Sequence, residues 1–145
     1  MAPQMIFVNL PVKDLDASKA FFEKLGFFAN PRFTDETAAC VVISDTIFAM
    51  LLTEEKFRAF TAPGKEIADA TKTTEVLVTL SAESREKADE LADAALAAGG
   101  GPAKEPMDMG FMYSRSFTDL DGHHWEVFWM NPAMAQGGGE GAGQG

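Results

Sequence analysis

Basic charge, cysteine and long apolar runs are all scarce in this chain. Twelve Lys and Arg stand against 22 Asp and Glu, a net charge of −10 at neutral pH. Phosphate backbones and anionic membrane surfaces are held by clustered cations, so this balance argues against a nucleic-acid or membrane partner. The single cysteine, Cys40, has no partner for an intramolecular disulfide, so nothing points to an oxidising compartment. Its apolar setting within 38–42 marks an inert thiol in a buried strand. No apolar stretch approaches the roughly 20 residues that span a bilayer, and no basic segment precedes the first one. The expected location is the cytoplasm.

What remains is ordinary globular composition: 145 residues, 46% hydrophobic and 23% charged, enough for one core without staples. Ile6, Val8, Leu10 and Val12 alternate with period two, as in a half-buried strand, and Pro11 puts that strand at an end or an edge. Asp14 or Asp16 can cap a helix whose apolar stripe runs through Ala17, Phe21 and Leu25, stopped by Gly26. Extended segments are expected at 27–34, 38–43 and 46–53, then a short polar helix and a linker around Pro63-Gly64. From 74 the order recurs. Val76, Val78 and Leu80 alternate, and Ser84 caps a helix burying Ala88, Leu91, Ala92, Ala95 and Leu96. Strands near 103–107, 112–118 and 125–129 follow. One domain over 1–136 is therefore expected, with modules at about 5–53 and 74–132 joined by a linker at about 54–73. The stretch 137–145 is glycine-rich and expected to be a disordered tail.

Two β-α-β-β-β halves, each with a helix on one sheet face, leave the other faces to form a common cup. The fold class expected is α+β, two βαβββ modules building a cup-shaped mixed β-sheet with the helices outside. Strand parity then assigns faces. Phe7 and Asn9 face the cup from the first strand, Glu75, Leu77 and Thr79 from the fifth, and His124, Glu126 and Phe128 from the last. Glu126 is a charged residue inside an apolar strand, where a carboxylate needs a partner or a purpose. His124 shares its face and could pair with it or carry a proton.

The segment Val8-Asn9-Leu10-Pro11-Val12-Lys13-Asp14-Leu15 through Phe27 resembles the opening of the vicinal-oxygen-chelate superfamily. That superfamily contains glyoxalases, extradiol dioxygenases and bleomycin-resistance proteins. Phe117-Thr118-Asp119-Leu120-Asp121-Gly122-His123-His124-Trp125-Glu126-Val127 is similar to its closing motif, a turn leading to a glutamate. The resemblance covers about residues 5–132 and implies the glyoxalase/bleomycin resistance/dihydroxybiphenyl dioxygenase fold, a homodimer and a small-molecule ligand. It also implies one divalent ion (Ni, Zn, Mn or Fe) in the cup, acting as a Lewis acid on paired substrate oxygens.

By position, the resemblance makes Glu126 the final metal ligand and Glu75 a second. The other ligand positions fall on Phe7, with Asn9 nearby, and on Phe48 or Met50, which carry no metal donor suited to such an ion. Phe7, Asn9, Phe48, Met50 and Phe128 are then candidates to line a substrate, with Tyr113 and Arg115 at its polar end, and Glu126 and His124 as candidate catalytic groups. Two functions follow. One is a glyoxalase- or dioxygenase-type enzyme, in the manner of a lactoylglutathione lyase. The other is a metal-free protein that binds a small molecule, of the bleomycin-resistance kind.

Overall fold

The computed structural model describes residues 2–133, so the expected tail at 137–145 lies outside the described residues. The first module runs β1 (Ile6–Val12), α1 (Leu15–Lys24), β2 (Phe28–Ala29), β3 (Ala38–Val42) and β4 (Ile47–Thr53), and a short helix α2 (Glu54–Phe60) follows. The second runs β5 (Leu77–Ser81), α3 (Arg85–Ala97), β6 (Gly101–Pro102), β7 (Met107–Asp108), β8 (Met112–Thr118) and β9 (His124–Met130). The sheets are ordered β1-β4-β3-β2 and β5-β9-β8-β6, with β7 also on β8. In each, the first strand lies parallel to the last, pairing Leu10 with Leu51 and Thr79 with Glu126, and the remaining pairs are antiparallel. The α+β doubling expected from the sequence is thus present.

Local chemistry explains the elements. The Asp14 side chain accepts the Ala17 amide at 3.0 Å and starts α1, and the Ser84 hydroxyl accepts that of Lys87 at 3.0 Å and starts α3, each satisfying an amide the helix leaves free. Helix α1 stops where Gly26 takes φ +102°, a left-handed conformation that suits glycine. Pro11 is tolerated because β1 is an edge strand.

Three expectations need correction. The strand expected at 27–34 ends after Ala29, because Pro31 opens a 3-10 turn over Pro31–Phe33 capped by Asn30. The second strand of the second module, expected at 103–107, is instead the two short pieces β6 and β7. The fifth strand begins only at Leu77, so Glu75 and Val76 precede it, and Val76 is exposed.

One core joins both modules. Phe21 and Phe22 of α1 meet edge to face at 4.9 Å between centroids, and Phe22 lies 5.3 Å from Trp125 of β9. Phe117 of β8 stacks parallel to Trp125 at 6.4 Å. All four rings are buried, and each contributes about 1.5–3 kcal/mol or more by leaving water. Ala88, Ala92 and Ala95 give α3 a smooth buried stripe that lets it lie close to the sheet. Among the described residues no helix is long and apolar enough to cross a membrane.

Candidate functional site

Trp125 and Val127 of β9 are buried in the core, so parity turns His124, Glu126 and Phe128 to the other face. There Glu126 sits beside Thr79 in register. The Thr79 hydroxyl donates to Glu126 Oε1 at 3.3 Å, and Glu126 Oε2 lies 3.8 Å from His124 Nε2. That imidazole nitrogen is fully buried and, among the described residues, has no hydrogen-bond partner. Buried polar atoms normally have one; here the Glu126 carboxylate stands beyond hydrogen-bond distance.

On the first sheet the equivalent face carries Phe7, paired in register with Phe48, and Asn9, paired with Met50. The two rings stack at 4.6 Å and 11°, and Phe7 stays about half exposed (47%). This is an open aromatic platform. The residues at the positions where the resemblance implies metal ligands therefore do not fit a divalent ion: two are stacked phenyl rings and one is a thioether. Among the described residues no group of three or more His, Cys, Asp or Glu side chains is arranged to hold a metal. Of the two carboxylates expected as ligands, Glu126 accepts a hydrogen bond from Thr79 and Glu75 lies ahead of β5.

The structure also turns Tyr113 and Arg115 away from this face. They pair in register with Trp129 and Val127 and reach α3 instead. The Tyr113 hydroxyl donates to Asp89 Oδ1 at 2.6 Å, and Arg115 donates to Asp89 at 2.7 Å and to Asp93 at 2.8 Å. The Tyr113 hydrogen bond, aided by Arg115, holds the Asp89 carboxyl below its ordinary range. The same bond pushes the Tyr113 phenol up. The expectation that Tyr113 and Arg115 meet a ligand's polar end is corrected: both side chains are held by α3 acids. Arg85 adds to the cluster, lying 4.9 Å from the Tyr113 ring centre and 5.3 Å from that of Trp129.

A half-open cavity of about 300 Å3 lies at the seam of the modules. Its wall includes Asn9 and Pro11 of β1, Phe57 of α2, Glu75, and His123 and His124. It thus gathers Asn9, Glu75 and His124 from the candidate residues, whereas Phe7, Phe48, Met50, Glu126 and Phe128 lie outside it.

The turn beside this cavity is built on Asp119. Its Oδ1 accepts the amides of Asp121 and His123, each at 3.0 Å, and its Oδ2 accepts Trp125 Nε1 at 3.0 Å. Burial nevertheless pushes the Asp119 carboxyl above its ordinary range, opposed by the neighbouring His123 and the three donors. Next in the turn, Asp121 accepts the Lys13 amide at 2.9 Å and the Ser18 hydroxyl at 3.3 Å. His123 Nε2 meets the Pro11 carbonyl oxygen at 2.8 Å. Nothing local in the sequence signals this partner on β1, 112 residues away.

The family model described as "Bleomycin resistance protein-like N-terminal" matches residues 4–44. The chain is similar to the solved structure of a hypothetical protein, SA1046, from S. aureus, at 30% identity and a TM-score of 0.71, covering 89% of this chain and 95% of that one. It is similar in fold to a glyoxalase/bleomycin resistance protein/dioxygenase family enzyme from Burkholderia phytofirmans, at 18% identity, TM-score 0.72, and 86% and 96% coverage. A lactoylglutathione lyase from Agrobacterium tumefaciens shares the fold at 17% identity, TM-score 0.64, with 86% and 92% coverage. No protein of curated function matches the sequence. Paired βαβββ modules, an opening segment matched by that family and the Asp119–Gly122 turn leading to Glu126 agree, and the chain belongs to the glyoxalase/bleomycin resistance/dioxygenase group, the vicinal-oxygen-chelate superfamily.

Proposed function

We propose that this protein binds a small molecule on the cup faces of its modules without a metal centre, as a cytoplasmic homodimer that sequesters its ligand in the bleomycin-resistance manner. One observation carries the proposal. The positions that would hold a metal are occupied by the Phe7–Phe48 stack at 4.6 Å and by Met50. A paired phenyl platform, half open to solvent, suits the flat face of an aromatic or apolar ligand. The exposed Phe28, Met107, Met109 and Phe111 support the dimer, as apolar surface that a second copy would cover.

The test uses 2-naphthol as a planar probe, with thermal unfolding and light scattering as readouts. The expected result is a dimeric mass and a higher Tm with 2-naphthol, lost in Phe7→Ala, while Ni2+, Zn2+, Mn2+ and Fe2+ leave Tm unchanged. Stoichiometric metal in protein purified without chelator would overturn the metal-free reading, and a monomeric mass would overturn the dimer.

A second reading, a lyase-type enzyme, is favoured by the approach of His124 Nε2 to Glu126 Oε2 at 3.8 Å. In it Glu126 takes a proton from the substrate and His124 steadies the resulting charge. Formation of lactoylglutathione from the methylglyoxal–glutathione hemithioacetal, lost in Glu126→Gln, would establish it in place of the binder.

A further inference from the structure

We propose that a row of methionines on the second sheet is a site for a soft monovalent cation, Cu(I) or its redox-silent congener Ag(I). Four of the chain's eight methionines gather there. Met112 of β8 is in register with Met130 of β9, and Met109, just past β7, extends the row because its amide donates to the Met112 carbonyl at 2.8 Å. Met107 stands in the next row, opposite Ser114 and in line with Phe128. The row between fixes which way these side chains point. Asp108, Tyr113 and Trp129 are paired across the same three strands. Arg85 of α3 reaches all three, at 2.7 and 3.0 Å from the Asp108 oxygens and 4.9 and 5.3 Å from the two ring centres. Alternation along each strand therefore turns the methionines to the face opposite α3.

Core packing does not account for them. None of the four belongs to the buried cluster or packs against it, and strands ordinarily favour β-branched and aromatic side chains. Their chemistry points to a ligand. Thioether sulfur is a soft, uncharged donor suited to Cu(I). Neighbouring strands stand about 4.8 Å apart, near the roughly 4 Å between sulfurs that share one trigonal ion at bonds of about 2.3 Å. Methionine's three rotatable bonds close the remaining gap across the row. No charged side chain stands in the two rows, whose other members are Ser81, Ser114 and Phe128. Zn2+ and Mg2+ therefore find none of the anionic or imidazole ligands they take.

The probe is Ag+, followed through the methyl resonances of protein labelled at its methionine methyl carbons. Light scattering runs alongside, because Met107 and Met109 also belong to the surface assigned to the second copy. The expected result is one Ag+ per chain at unchanged mass, with the methyls of Met109, Met112 and Met130 shifting together and those of Met5 and Met50 staying in place. Cu(I) without oxygen should reproduce the shifts, and Zn2+ should not. The Met109→Leu/Met112→Leu/Met130→Leu variant keeps apolar side chains of similar size and should lose the site. Met112→Leu alone, a smaller change, should weaken binding about tenfold. Binding that survives in the triple variant would belong to the Cys40 thiol and overturn the proposal. So would unchanged affinity in Met112→Leu, equal shifts at Met5 and Met50, uptake only as the dimer dissociates, or no uptake. The site does not rest on the Phe7–Phe48 platform, and the 2-naphthol experiment succeeds or fails independently of it.

Discussion

His123 Nε2 lies 2.8 Å from the carbonyl oxygen of Pro11, 112 residues away along the chain. The turn that leads into the last strand is thereby fastened to the first strand, and both residues wall the seam cavity. For this contact to be a hydrogen bond the ring must carry its proton on Nε2 and donate it, since the carbonyl only accepts. His123→Ala should cost about 1 kcal/mol, the usual net worth of one such bond. Urea unfolding would measure it. The companion expectation is local: faster hydrogen exchange in the 121–124 turn than in the α1 core. An unchanged midpoint would mean the contact contributes nothing in solution.

Asp119 holds the same turn from below, with three donors at 3.0 Å on one buried carboxylate. Asp119→Ala leaves the Trp125 indole N–H and two amides without acceptors and should cost about 2–3 kcal/mol. Asp119→Asn is nearly isosteric, yet it cannot satisfy all three, because its amide NH2 would confront a donor. The pH dependence has a definite sign. Burial raises this carboxyl above its ordinary value of 3.8, so the folded protein holds the proton to higher pH than the unfolded chain. Its stabilising contribution is therefore complete below the ordinary value and is lost as pH rises through the raised one. The stability of the native protein relative to Asp119→Asn should fall with rising pH across that window. A difference that grows instead would show that the donors outweigh burial.

The fold was largely legible because its signals are local. Val8, Leu10 and Val12 alternate inward on β1, and Trp125 and Val127 do so on β9. Asp14 and Ser84 cap the helices within three residues of themselves. Even the truncated second strand carried its signal, since Asn30-Pro31 is a turn-forming pair. The site was harder to read because its partners are distant. Parity puts His124 and Glu126 on one face, but that Arg115 lies opposite Val127 rather than Glu126 depends on the β8–β9 register. A one-residue slip would turn Arg115 to the other face. Asp89 and Asp93 are spaced four apart on α3, which looks like a solvated stripe until Arg115 is found beneath it. The cavity itself depends on the path of the linker against β1, and no periodicity encodes that path.

The Arg115 cluster should matter for stability and not for binding. Its side chain is only 15% exposed and meets Asp89 and Asp93 at 2.7 and 2.8 Å. Arg115→Met keeps the aliphatic stem but leaves the Tyr113–Asp89 pair without its cation. We expect a loss of about 1–3 kcal/mol, read from chemical denaturation, with affinity for 2-naphthol unchanged. Weaker 2-naphthol binding at full stability would return Arg115 to the ligand site.

The aromatic contact between the modules predicts that they unfold together as one domain. Phe22 sits on α1 of the first module, yet its ring packs 5.3 Å from Trp125 of the second, and both are almost fully buried. Phe22→Ala removes a large core side chain and should cost about 3–5 kcal/mol. If the modules were independent, that loss would fall on the first alone. Because Phe21, Phe22, Phe117 and Trp125 form one cluster, the variant should lower the midpoint of the whole chain. Far-ultraviolet dichroism follows every helix and strand, whereas tryptophan fluorescence reports only Trp125 and Trp129, both on β9. The two transitions should coincide in the native protein and move by the same amount in Phe22→Ala. A dichroism change that precedes the fluorescence change would mean that the first module melts on its own, and the two modules would then be separate folding units.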